Sequence, residues 1–466
     1  MEFVMRSFYH FRAGGAVLLL VNLSLLWSPF VSPLQVQARS ARAEEKLKSL
    51  TTESSLPDFR GRALLVLSEG DQSATAYADG LLDRPDGVAD TLRVVPCPPE
   101  VAGLGRAIPV TNSVLGWPQA LAIAPDEKHA YIVETRSAPM IGKVKDVLKA
   151  LPEGHLLTTV DLSDLAAIKI VDQRPVGVNP WTVDVSPDGK TLAVDTRQED
   201  ANLLLIDLVN GIPAGVRKVT VKDRLGHKAT VDSVRWSPLG KMLALNLDDK
   251  ELAFIDANRL AEGASDDGAI VARIPKVGKQ ITPGKFSPDG RFYITTDLNC
   301  GKSPLDYLFN GKGRFIVVTT PAMVNEQPHK ILSIATGITP EGFDLSPNGT
   351  VLASVNMSHC FLPKRFLFKL VPAQKTCSIS VSKFDPVKRT LTKSRHVNFD
   401  GLLPRQLTFD QSGKFLVATV FQNTSAPADK GSLQFFQVQE EPALGVENCN
   451  FQLTLPRGAH TVELLR

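Results

Sequence analysis

Short apolar runs of alternating character recur along most of this chain, each broken by the same four-residue phrase. Trp181-Thr182-Val183-Asp184-Val185 alternates up to Ser186-Pro187-Asp188-Gly189, and Leu192-Ala193-Val194 resumes after it. Phe343-Asp344-Leu345 and Val351-Leu352-Ala353 flank Ser346-Pro347-Asn348-Gly349 in the same way. Period-two alternation on both sides of a turn predicts a β-hairpin. The phrase suits a type I turn at each position. Ser bonds backbone from the first, Pro presets φ at the second, Asp tolerates the third, and Gly accepts positive φ at the fourth.

Six copies are present: 124–127, 186–189, 237–240, 287–290, 346–349 and 410–413, the last reading Asp-Gln-Ser-Gly. Their second positions are 125, 187, 238, 288, 347 and 411, so the steps run from 50 residues (238 to 288) to 64 (347 to 411). A hairpin repeated at this period predicts a β-propeller of four-stranded antiparallel blades, strands A to D from the axis outward. In the third unit A is 181–185, B 190–195, C 202–207 and D 216–221. The fourth gives 233–236, 242–246, 251–255 and 269–274.

Six full units fill roughly 117–457, and a remnant is left at each end. Ala63–Ser68, Ser73–Ala78 and Thr91–Val95 read as B, C and D strands with no A strand before them. Residues 459–465, Ala-His-Thr-Val-Glu-Leu-Leu, read as a lone A strand. Together they predict a seventh blade, so the fold expected is all-β, a seven-bladed propeller closed by strands from both ends. Closure also removes open sheet edges.

These residues resemble the YVTN-type propeller repeat, Pro-x-x-apolar-x-apolar-Ser-Pro-Asp-Gly-(Lys/Arg)-x-apolar-apolar. The resemblance covers about 59–466 and implies the superfamily of lactonase-like proteins, surface-layer proteins and the haem d1 domain of nitrite reductase. It lacks the Trp-Asp dipeptide of WD-type repeats.

Before the propeller, Arg6 and Arg12 precede an apolar stretch, Ala16–Trp27, and Val36-Gln37-Ala38 offers a small-x-small site. Residues 1–38 are therefore expected to be a signal peptide, too short in its apolar part to span a membrane comfortably. Residues 39–58 are expected to form a polar tether, and 59–466 the propeller. The expected chain is exported, periplasmic or extracellular, and monomeric, with no membrane span after cleavage. Retention of residues 1–38 as an anchor is the alternative.

Fifty-two Lys and Arg against 49 Asp and Glu leave a net charge of +3, with both signs interspersed. Nothing there favours nucleic acid. Of five cysteines, Cys360 and Cys377 bracket the sixth unit's B–C loop, where adjacent antiparallel strands can bring them within disulfide reach. Cys97, Cys300 and Cys449 read as buried or half-buried apolar residues.

In a propeller the B–C and D–A connections share one rim. Lengthened loops at 135–156 (with a short helix expected at Val144–Leu151), 297–313, 356–377 and 421–431 all belong to it. They hold Asn299, Cys300, Lys302, Ser303, Asp306, Tyr307, His359, Lys364, Arg365, Phe366 and Asn423. One residue per blade, placed where the A strand opens, should ring the mouth of the central channel: Gln119, Trp181, Asp232, Thr282, Glu341, Arg405 and His460. Polar groups converging on an axis suit a small ligand. Asp232, Glu341, Arg405 and His460 offer acid–base groups or an anion grip. No cofactor is expected. No metal site is expected either, since the histidines are scattered and Asp232 with Glu341 gives too few carboxylates for calcium. No nucleophile elbow, phosphate loop or zinc helix is present. The reading is thus a non-catalytic binding scaffold, with a protein or small-molecule partner on the loop-bearing rim. The alternative, implied by the resemblance, is a lactonase-like hydrolase at the channel mouth.

Overall fold

In the computed structural model the described residues are 56–466, apart from 83–88, 100–102, 112–115, 139–146, 262–265, 302–305, 307–308, 323–326, 364–374, 426, 428 and 441. The signal peptide, most of the tether, Val144–Asp146, Lys302, Ser303, Tyr307 and Lys364–Phe366 lie outside them.

All six phrases form the expected turn. The fourth residue's N–H donates to the first residue's carbonyl at 2.7–3.0 Å. Its φ lies at 69–73° where it is Gly and at 54° for Glu127. In the third blade Ser186 Oγ also accepts from Thr191 N at 2.9 Å, so the hydroxyl caps the incoming strand.

Seven antiparallel sheets result. The first blade runs Ala459–Leu465, Ala63–Ser68, Thr91–Pro96 and Ala107–Pro109 from the inside out. Six more open with A strands Leu121–Ile123, Val183–Val185, Val231–Trp236, Lys285–Phe286, Pro340–Leu345 and Leu407–Phe409. The sixth blade carries an extra short strand, Thr390–Leu391. The protein is therefore an all-β, seven-bladed propeller.

Closure pairs Ala63 with Leu465, Val66 with Val462 and Ser68 with Ala459. Gly458 makes the entry possible: its φ is 107°, and a Cβ there would fall 1.7 Å from the Glu69 carbonyl oxygen.

The first blade corrects one assignment. Ser73–Ala78 is not a strand. Ala76–Asp79 forms one helical turn ended by Gly80 at φ 76°. Thr91–Pro96, read as D, is C, and D is Ala107–Pro109. Ser73–Ala78 instead lies within a B–C connection of 69–90.

Each sheet packs on both faces against neighbouring blades, so inner strands are mostly buried while the outermost ones are largely exposed. Phe292–Asp297 is wholly buried, whereas Lys169–Pro175 has no buried residue. Core clusters span blades: Leu64, Val66 and Val462 of the first pack with Val417, Leu433 and Phe435 of the seventh. Polar residues of inner strands tie blades together. Asp184 accepts from Trp236 N at 2.7 Å and Asp344 from Phe409 N at 2.9 Å, each reaching the next A strand. Gln406 Oε1 likewise accepts from Val462 N at 3.0 Å, joining the seventh blade to the first.

Candidate functional site

The D–A and B–C connections surround a cavity of about 410 Å³ at one end of the channel. Its size falls within the usual range for small-ligand sites. Beneath it, Gln119, Arg235, Lys285 and Glu341 line a constriction of only about 20 Å³. Lys285 pairs there with Asp344 at 2.7 Å and Arg235 with Asp184 at 3.3 Å. The mouth cavity forms a cup beside these pairs. A groove of about 530 Å³ between the outer strands of the sixth and seventh blades is larger, yet Asp400 is its one charged lining residue.

Four of the seven expected ring residues line the cup: Trp181, Asp232, Glu341 and Arg405. The other three turn elsewhere. Gln119 lines the constriction and its Nε2 donates to Val234 O at 2.9 Å. Thr282 Oγ1 lies 2.7 Å from Thr296 Oγ1 inside the fifth blade. His460 is 1% exposed, with Nδ1 2.8 Å from Thr461 Oγ1. Burial, reinforced by the Arg405 charge, holds its pKa well below the usual histidine value. It is enclosed and does not line the cup.

Two charged clusters form the polar walls. In one, Arg405, 2% exposed, donates from Nη2 to Glu341 Oε1 and to Gly116 O, and from Nη1 to the Tyr77 hydroxyl. Burial raises Glu341 to about 7 despite the opposing guanidinium. Tyr77 is raised to about 12, again by burial, and remains a neutral phenol. In the other, Arg197 lies over the Trp181 ring, 4.5 Å from its centroid, and bonds Val231 O at 2.6 Å. The same guanidinium pairs with Asp195 at 3.2 Å and Asp232 at 3.6 Å. Asp232 is 8% exposed and accepts from Asp249 N at 2.7 Å. Burial lifts it to about 7 and Asp195 to about 6.

Leu298, Met357, Phe361 and Leu403 supply the apolar wall. Two of the four long loops therefore reach the cup, through Leu298 and Cys300 of 297–313 and Met357 and Phe361 of 356–377. No described residue of 135–156 or 421–431 does. Within 135–156, Leu148–Ala150 makes a 3-10 turn. Tyr77, Arg197 and Asp249 come from B–C connections that the loop-length argument passed over. Turn formers in Gly70-Asp71 and Gly80 were the available sign that 69–90 is loop.

Behind Phe361, the Cys360 and Cys377 sulfurs lie 2.8 Å apart as separate buried thiols. Leu403 N donates to Cys360 Sγ at 3.2 Å, linking the pair to the cup wall. Cys300 is buried, and Cys97 and Cys449 are half-buried.

No protein-family model matches the chain. Among curated proteins, Protein HIRA of Dictyostelium discoideum is 28% identical over 131 residues, 26% of this chain. That match spans 12% of the relative's own length. Solved structures match far more of the chain. A periplasmic gluconolactonase of Pseudomonas aeruginosa superposes with TM-score 0.58 at 17% identity, covering 86% of this chain and 99% of that one. A candidate 6-phosphogluconolactonase of Bacteroides fragilis gives 0.55 at 14% identity, covering 87% and 98%. A protein of unknown function from Desulfotomaculum acetoxidans gives 0.55 at 11%, covering 86% and 99%. These likenesses establish the fold alone, that of a β-propeller. Among the described residues no helix is long and apolar enough to cross a membrane.

Proposed function

We propose that this is an exported propeller that binds a small, uncharged molecule in the mouth cup and does not transform it. One observation carries the reading. The cup's two arginines already direct their Nη donors to Glu341, Tyr77, Asp195 and main-chain carbonyls, and Arg197 Nη2 lies 3.6 Å from Asp232. What is left for a ligand is an apolar wall, the half-buried Trp181 ring and a few fixed polar edges. That combination suits a ring with hydroxyl or carbonyl substituents.

Lactone hydrolysis is the second reading, favoured by Asp232. A carboxyl held at about 7 beside an open cup is placed to take a proton from water. As a base it must be ionised, so turnover would rise with pH through about 7. Gluconolactone and dihydrocoumarin, incubated with wild type and Asp232→Asn between pH 5 and 8.5, separate the two. The binding reading expects cup residues protected from hydrogen exchange by one of the compounds, with no hydrolysis above the uncatalysed rate. Hydrolysis that falls at least tenfold in Asp232→Asn would replace it with the lactonase. Neither protection nor turnover would remove both for these lactones.

Export is part of the proposal and has its own readout. Mass spectrometry of chain recovered from the periplasm or medium should begin near Arg39. Its non-reducing peptide map should show Cys360 linked to Cys377. The sulfurs are already adjacent and the enclosed segment is 17 residues, so oxidation should add about 3 kcal/mol on the chain-entropy account. A full-length mass would point to an anchor instead, and two free thiols would end the pairing.

A further inference from the structure

We infer that Glu69, Asp71 and Asp90, at the two ends of the first blade's B–C connection, hold a calcium ion. One carboxylate oxygen from each residue lies within 4.8 Å of the other two. Calcium–oxygen bonds of about 2.3–2.6 Å allow two ligands to stand up to roughly 4.6–5.2 Å apart, so three oxygens this close together can share one ion. An all-carboxylate donor set selects a hard cation over zinc or copper.

The second observation is Glu69 itself. Its side chain is 0% exposed. Oε1 accepts from Asp71 N at 2.6 Å, while Oε2 is buried with no hydrogen-bond partner among the described residues. An unsatisfied carboxylate oxygen, enclosed next to two more carboxylates, is costly unless a proton or a cation joins it. Gly70 N donates to Asp90 Oδ1 at 2.6 Å, which holds the second carboxylate in place. Arg457, a buried cation among the described residues, donates from Nη2 toward Gly70 O, 3.5 Å away.

Access is provided as well. A cavity of about 440 Å³ opens onto Asp71 and Asp90, leaving room for the ion to enter and for waters to complete its shell. Binding there has a consequence at the cup. The same connection carries Tyr77, whose hydroxyl receives bonds from Gln72 Nε2 at 3.3 Å and from Arg405. An ion clamping both ends of the connection would hold this wall of the cup in position.

The test uses the whole protein, stripped with EDTA and dialysed. Calcium chloride is titrated to about 10 mM by calorimetry and by thermal melting, with magnesium and manganese chloride in parallel. One calcium per chain and a saturable rise in Tm are expected, with affinity at least tenfold weaker in Glu69→Gln and Asp90→Asn. Calcium should also slow hydrogen exchange across 69–82 in the wild type, a readout that does not depend on either variant folding. Absence of wild-type binding would overturn the inference, leaving a shared proton as the occupant. Binding left unchanged in both variants, or protection confined to other loops, would place the ion elsewhere. A response to magnesium or manganese alone would refute calcium.

Discussion

Removal of residues 459–466 should open the ring and lower Tm by at least ~5 °C, or prevent folding outright. The lost strand pairs along Ala63–Ser68 and buries Ala459, Val462 and Leu465 completely. Fully burying each large aliphatic side chain is worth about 1.5–3 kcal/mol, and the exposed faces of Leu64, Val66 and Val417 add to the loss. The sum approaches the whole stability of a typical domain, about 5–15 kcal/mol. Where the truncated chain does not fold, Val462→Ala gives the graded version. It should cost ~1–3 kcal/mol in denaturant melts, because a buried methyl pair leaves a gap between the first and seventh blades. An unchanged midpoint in both variants would mean that the C-terminal strand does not close the propeller.

The second large effect is expected at Arg405. Arg405→Met removes the cation from an enclosed pair and strands Glu341, at an expected cost of about 3–5 kcal/mol at pH 8. Acid should soften that loss. Burial already raises Glu341 to about 7, and Arg405 is the influence that lowers it, so without the guanidinium the carboxyl titrates higher still. A carboxyl whose folded pKa exceeds its unfolded value favours folding at low pH and loses that advantage as pH rises through the folded pKa. The deficit of Arg405→Met relative to wild type should therefore be larger at pH 8 than at pH 5. Neutralising the partner as well, in Arg405→Met/Glu341→Gln, should recover part of it at pH 8, since the stranded charge is then gone. Urea denaturation at the two pH values measures all three. A deficit below ~1 kcal/mol, equal at both, would show that the pair does not hold the mouth together.

The two experiments probe different levels of the molecule, and the levels differed in how far the sequence reached. Local chemistry was enough for the repeat. Ser-Pro-Asp-Gly selects its turn through the dihedral preferences of four consecutive residues, and alternating runs on either side identify the strands. Blade number and closure followed from counting those units and from the A-like strand at residues 459–465. Positions at the opening of each A strand were equally legible, because the propeller repeats them, and Trp181, Asp232, Glu341 and Arg405 do meet at the mouth.

Everything that depends on contacts between distant segments was decided by the tertiary structure. Ser73–Ala78 has apolar residues enough for a strand, yet Thr91–Pro96 takes the place beside Ala63–Ser68 and Ala76–Asp79 coils into a helical turn. That outcome brings Tyr77 to Arg405, 328 residues away in sequence. Asp184 and Asp344 look like polar positions of half-exposed strands, but both are consumed in bonds to the next blade. Glu69, Asp71 and Asp90 carry no recognisable spacing, and they converge because a loop returns to the strand beside which it began. Alternation and turn propensity act over a few residues, so the sequence alone determined the repeat and the number of blades, but not the outer strands of the first. Which side chains would share a buried space depended on how seven blades pack in a ring, and no local preference encodes that.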